Sequence, residues 1–217
     1  MPLEAGEVAQ YLKERPEFFE QHADLLAELT LPHPHGGRAI PLSERQILSL
    51  REKSRTLEAK LRELIQCGEA NDAILERLHR LSLALMISRG LETLLHALYF
   101  HLREDFAVPR VALRLWNTKA APELPEFQPI SEEARAFAES LTHPHCGPGA
   151  AADTLNWFGE EAALLRSFAY VELRGESFRG LLVLASEDGE RFYPGMGTVY
   201  LTRLGELLSA ALERALS

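Results

Sequence analysis

Cysteine is scarce in this chain: Cys67 and Cys146 are the only two in 217 residues. Two thiols cannot build a disulfide framework, so the expected setting is a reducing cytoplasm. A surplus of cationic charge is missing as well. Lys and Arg number 23 against 32 Asp and Glu, a net charge of −9. Polyanions are held chiefly by excess positive charge, so no nucleic-acid partner is expected. No apolar run approaches the roughly 18–20 residues that span a bilayer, and the first ten residues lack the basic start and apolar stretch of a signal peptide. No membrane partner is expected either. The sequence also lacks Gly-x-Ser-x-Gly, His-Glu-x-x-His and Gly-x-x-x-x-Gly-Lys-Ser/Thr, the motifs that place a nucleophile, a zinc ion or a nucleotide phosphate. Arg174-Gly-Glu-Ser-Phe-Arg179-Gly reads as a hairpin turn, because no helix N-terminus follows it to bind phosphate. The expectation is a non-enzymatic protein, with an unfamiliar active site as a distant alternative.

Proline is absent between Pro41 and Pro109, and that gap contains the clearest pattern in the chain. Alternating steps of three and four from Ile47 meet Leu50, Ser54, Leu57, Leu61, Leu64, Gly68, Asn71, Leu75, Leu78, Ser82 and Leu85. Eight of these twelve positions are Leu or Ile, the a/d seam of a coiled coil. Ser43-Glu44-Arg45-Gln46 has capping-box form and predicts the start of the helix. Gly68 marks a potential break. The narrow stripe, with Arg51, Glu52, Arg55 and Glu58 wetting the other faces, predicts a homodimer through Ile47, Leu50, Leu57, Leu61, Leu64, Asn71, Leu75, Leu78 and Leu85. The bland reading is a pair of helices folded onto the same chain.

Charge divides the chain into three parts. Residues 1–42 carry −4, 43–87 carry +1, and 88–217 carry −6. The first reads as short helices: Val8, Tyr11 and Leu12 share a face that ends at Pro16, and Phe18, Phe19, Leu25, Leu26 and Leu29 form a greasy cluster. The last opens with a helix from Leu91 to Phe106, followed by an alternating strand from Arg110 to Trp116. An irregular connection over 117–130 then leads to a helix from Ser131 to Leu141. Thr142 to Ala152 reads as a loop. Phe168–Arg174 and Gly180–Ser186 make a β-hairpin, with Gly180 permitting the bend, and Phe192 to Leu216 a terminal amphipathic helix.

That order of elements resembles a GAF domain, most closely over Gly180-Leu-Leu-Val-Leu-Ala-Ser186, Glu187-Asp-Gly-Glu-Arg-Phe192 and the helix after it. Phe18-Phe19-Glu-Gln-His22-Ala-Asp-Leu25-Leu26, Leu31-Pro32-His33 and Ser43-Glu44-Arg45-Gln46 resemble a bacterial family, domain-of-unknown-function family 484. Phe192-Tyr-Pro-Gly-Met-Gly197-Thr198 is similar to its closing segment. The resemblance implies an α+β fold: N-terminal helices (1–42), a long coiled-coil-like helix (43–87), and a GAF-like domain (88–217) whose central antiparallel sheet is flanked by helices. It implies no ligand, cofactor or reaction.

His143-Pro144-His145-Cys146-Gly147 is the most chemically suggestive stretch. Imidazole and thiolate at this spacing suit a transition metal or a thiol adduct, but a closed zinc site needs about four ligands and no second cysteine is near. Turn geometry is the simpler reading. His33 and His35 could complete such a site only if the two loops met. A small-molecule pocket between the sheet and residues 117–167 would be lined by Leu113, Leu115, Phe137, His145, Cys146, Trp157, Phe158, Tyr170 and Glu172. The leading expectation is therefore a cytoplasmic sensor or regulatory module that binds a small ligand and dimerises through its helix. The alternative is an adaptor that docks a protein partner through Phe18 and Phe19. Filling of the pocket by Trp157 or Phe158 would favour that adaptor.

Overall fold

A computed structural model describes residues 4–24, 42–118 and 123–217, without the side chains of 42–45. The chain divides into two compact units, Met1–Cys67 and Gly68–Ser217.

In the first unit, α1 (Ala5–Glu14) and the single turn α2 (Phe18–Gln21) are separated at Arg15 and Pro16. Pro16 lacks the N–H that another helical turn would need. Tyr11, Phe18, Phe19 and His22 pack on one another, with centroid distances of 6.1, 5.6 and 4.8 Å along the series from Tyr11–Phe18 to Phe18–His22. Leu25, Leu26, Leu29, His33 and His35 lie outside the described residues.

The long helix, α3, runs Leu42–Ile87 as one element and passes through Gly68. A lone glycine costs a helix roughly 1 kcal/mol, too little to break one this long. Beyond Ile74 it joins the core of the second unit, where Leu78, Leu81 and Leu85 are buried. Arg214 donates to the carbonyls of Leu85, Met86 and Ser88, which gives the orphan groups at this helix end a partner.

The second unit is α+β. After α3 come α4 (Leu91–Glu104), β1 (Arg110–Trp116), α5 (Glu132–Ser140), β2 (His145–Pro148), β3 (Ser167–Arg174), β4 (Arg179–Ser186) and α6 (Val199–Leu216), with 3-10 turns at Pro125–Phe127 and Thr154–Leu164. The Ser131 side chain caps α5 by accepting from Ala134 N at 3.1 Å, as its position predicts. All strand pairs are antiparallel, in the order β1-β4-β3-β2.

Three expectations change. The stretch expected as a loop contains β2, because the free edge of β3 offers backbone partners that a local reading cannot see. Pro148 is tolerated there, at the end of an edge strand. Gly180 does not make the bend; it lies within β4 opposite Leu115, where a Cβ would come within 2.7 Å of Leu115 Cδ2. The terminal helix begins at Val199 rather than Phe192, since Pro194 and Gly195, with φ +85°, turn the chain first.

Strand alternation sends side chains to opposite faces. Register then aligns Leu113, Leu182 and Val171 on one face, and Ala112, Val183, Tyr170 and His145 on the other. The first face packs under Leu78, Leu81 and Leu85 of α3, the leucines of α4, and Leu201, Leu204, Leu208 and Leu212 of α6. The second is covered by Ala138, Phe137, Trp157 and Phe158.

Candidate functional site

The nine pocket residues expected from sequence are divided by the sheet. Leu113, Leu115 and Cys146 belong to the helix-covered face. Phe137, Trp157, Phe158 and Tyr170 pack on the opposite face. His145 is exposed at the β2 edge of that face. Glu172 forms an ion pair with Arg174 at the end of β3.

On the second face aromatic rings occupy the centre. Tyr170 is 1% exposed. Phe137 meets it edge-on at 5.1 Å, while His145 and Phe168 stack on it at 6.3 and 6.2 Å. Its hydroxyl accepts from Ala151 N at 2.8 Å and lies 3.4 Å from Thr154 Oγ1. Burial pushes the phenol pKa up despite those contacts. This tyrosine anchors the turn at Ala151–Thr154, as a buried hydroxyl with its partners in place ordinarily does. Trp157 lies beneath the Arg114 guanidinium at 5.2 Å, and Phe158 reaches Phe168 at 6.4 Å.

His145 and Cys146 are neighbours on one strand, so they point to opposite faces and cannot converge on one ion. Cys146 is buried, and burial raises its thiol pKa, away from the thiolate that would coordinate or react. Among the described residues, no group of three or more His, Cys, Asp and Glu side chains converges.

A buried polar cluster was not anticipated from sequence. The Tyr99 hydroxyl donates to Glu126 Oε1 at 2.7 Å, and Glu126 is itself buried. Burial first, and then the carboxylate, pushes the Tyr99 pKa up. It holds the 3-10 turn Pro125–Phe127 against α4. The only hint in the sequence was an acid inside the proline-rich connection.

Two hollows in the second unit are large enough to matter. One, of about 750 Å³, is an open groove along Leu141–Pro144, the end of β3 and α6, with His143, Glu172, Arg174, Glu206 and Glu213 among its lining. Two of its acids already have partners: Glu172 pairs with Arg174, and Glu213 accepts from the backbone N–H of Ser177. The other, of about 250 Å³, lies on the helix-covered face, lined by leucines and phenylalanines together with Arg77 and Arg191.

The expected interface splits along α3. Ile47, Leu50, Leu57, Leu61 and Leu64 are exposed, with Leu64 at 69%. Asn71 and Leu75 are exposed too. Leu78 and Leu85 are buried in the chain's own core, and so are not free to face a second chain.

The family model for proteins of unknown function DUF484 matches residues 1–217. The chain belongs to the DUF484 family. Among the relatives of this DUF484 protein is the uncharacterized protein YigA of Salmonella typhimurium, 26% identical over 98% of this chain and 92% of its own length. YigA of Escherichia coli K12 is 25% identical over the same shares. No helix among the described residues is long and apolar enough to cross a membrane.

Proposed function

We propose that this DUF484 protein is a cytoplasmic, non-enzymatic, GAF-like regulatory module that works as a homodimer joined through α3. The observation that carries the proposal is the run of exposed leucines from Ile47 to Leu64 at coiled-coil spacing. A stripe of this kind, exposed among the described residues, is a self-complementary surface. The near-neutral charge of 43–87, with both signs interspersed, lets two copies approach without the repulsion that the acidic segments on either side would impose. Such a dimer joins the α3 helices of two copies, and a change in the α+β unit of either copy has a route along its own α3 to the seam.

Light scattering at micromolar concentration should return twice the 24.3 kDa chain mass. Leu57→Lys with Leu64→Lys should return a single chain whose β-sheet signal is unchanged. A wild-type monomer at that concentration sinks the reading.

A second reading, an adaptor without a ligand, draws support from the filled aromatic face around Phe158 and Tyr170. On it, the cluster of Tyr11, Phe18, Phe19 and His22 docks a protein partner. Phe18→Ala with Phe19→Ala would then abolish partner capture while leaving the dimer mass intact.

A further inference from the structure

We propose that the 250 Å³ hollow on the helix-covered face of the sheet binds a small carboxylate with an apolar body, its charge held by Arg77 and Arg191. The proposal supplies the ligand for the regulatory reading and moves its site to the face opposite the aromatic one.

The body of the site is hydrocarbon. Leu78 of α3, Leu102 of α4, Leu184 of β4 and Leu204 of α6 converge on it from four elements. Its volume lies just under the roughly 300–1,000 Å³ of ordinary ligand pockets, which limits the occupant to a small molecule. The charge on its lining has one sign. Arg77 and Arg191 are the ionised groups there, and no carboxylate joins them. Arg191 gives one N–H to the Phe106 carbonyl at 2.7 Å and lies over the Phe192 ring at 5.6 Å. Neither arginine forms an ion pair with a carboxylate among the described residues. The charge of Arg77 acts on Asp105, whose oxygens are taken by His101 and Arg80. Desolvation acts against the charged form of Arg191 and the charge of Asp188 offsets it only in part, a remaining penalty that a bound anion would reduce. Guanidinium is well suited to carboxylate, since its planar N–H fork matches the two oxygens. A cationic rim on an uncharged cavity therefore selects an anion with an apolar tail over a neutral hydrocarbon or a cation.

Calorimetric titration of the full chain with octanoate and with 1-octanol at neutral pH tests the charge and the tail separately. Octanoate should bind saturably, one per chain, and at least tenfold more tightly than octanol. Arg77→Met should weaken octanoate about tenfold and leave octanol unchanged. Arg77 makes no hydrogen bond or ion pair among the described residues, and its charge is the smallest of the influences on Asp105, so this variant should stay folded with a melting temperature only slightly below wild type. Leu201→Phe, which intrudes on the cavity, should weaken both compounds. Absence of saturable binding at millimolar octanoate overturns the proposal. So do equal affinities for octanoate and octanol, or octanoate binding that survives Arg77→Met combined with Arg191→Met. The titration is repeated on the Leu57→Lys, Leu64→Lys chain. Binding retained there shows that the site stands even if dimerisation fails, and wild-type dimers that ignore octanoate show the reverse.

Discussion

Leu64 and Leu85 stand three heptads apart at the same position of one stripe, yet the first is 69% exposed and the second 2%. The stripe 75, 78, 82, 85 and the inward face of half-buried Ile74 with buried Leu78, Leu81 and Leu85 share two leucines and differ by one residue at the others. In the C-terminal half of α3 the helix has turned the second set inward. Leu81 is fully buried, while Leu75 remains 39% exposed. A 3.5-residue seam and a 3.6-residue core face coincide over two turns and drift apart over longer stretches. One pattern thus continues through two different environments: the protein's own core, and a surface still open to a partner.

The sharpest test of this contrast is a pair of truncations. Leu85→Ala should lower unfolding stability by about 2–5 kcal/mol, the range for deleting a fully buried leucine. Leu64→Ala should change it by less than about 0.5 kcal/mol under dilute conditions where the chain is monomeric. Chemical denaturation of both variants decides. Equal losses at low concentration would mean that the two halves do not differ.

A smaller effect concerns how the C-terminal half is held. Arg214→Met removes donors from the Leu85, Met86 and Ser88 carbonyls and should cost about 1 kcal/mol, below the roughly 1.5–3 kcal/mol of a buried charged hydrogen bond because Arg214 is exposed. Hydrogen exchange should show the loss as faster opening of the last turn of α3, with residues 47–64 unaffected.

The smallest effect is a pH dependence at the same half. The hydrogen bond from His101 holds the Asp105 carboxyl below its ordinary range, and the charges of Arg80 and Arg77 add to this. The folded state binds that proton less readily than the unfolded chain does. Its stabilisation is therefore complete above the ordinary carboxylate pKa of about 3.9, and is lost as pH falls through the lower folded value. Melting temperatures between pH 6 and pH 3 should fall more steeply for wild type than for Asp105→Asn.

Much of the fold was legible because its signals are local. Strand β1, the β3–β4 hairpin, helix α4 and the Ser131 cap follow from alternation, periodicity and capping chemistry. The missed features depend on partners. β2 is a strand only because β3 has a free edge, and Leu81 is core only because α4 and α6 close over it. The pocket shows the same limit. Alternation groups Leu113 with Leu115, and Tyr170 with Glu172. Which group shares a face with which is fixed by the cross-strand register, Leu113 opposite Leu182 and Leu182 opposite Val171. No single strand carries that information. Arg77 and Arg191 lie 114 residues apart in the sequence, so no motif marked them.

The two cysteines, one exposed on α3 and one buried on β2, divide the chain's thiol chemistry just as cleanly. Alkylating reagents require an accessible thiolate, and burial keeps Cys146 from supplying one. Cys67 stands next to Gly68, on the exposed stretch of α3 that precedes its entry into the core beyond Ile74. The native sequence therefore already carries a unique attachment point for a fluorophore or spin label, three residues from Leu64. Distances between labels on two copies of α3 can be read without engineering a single residue.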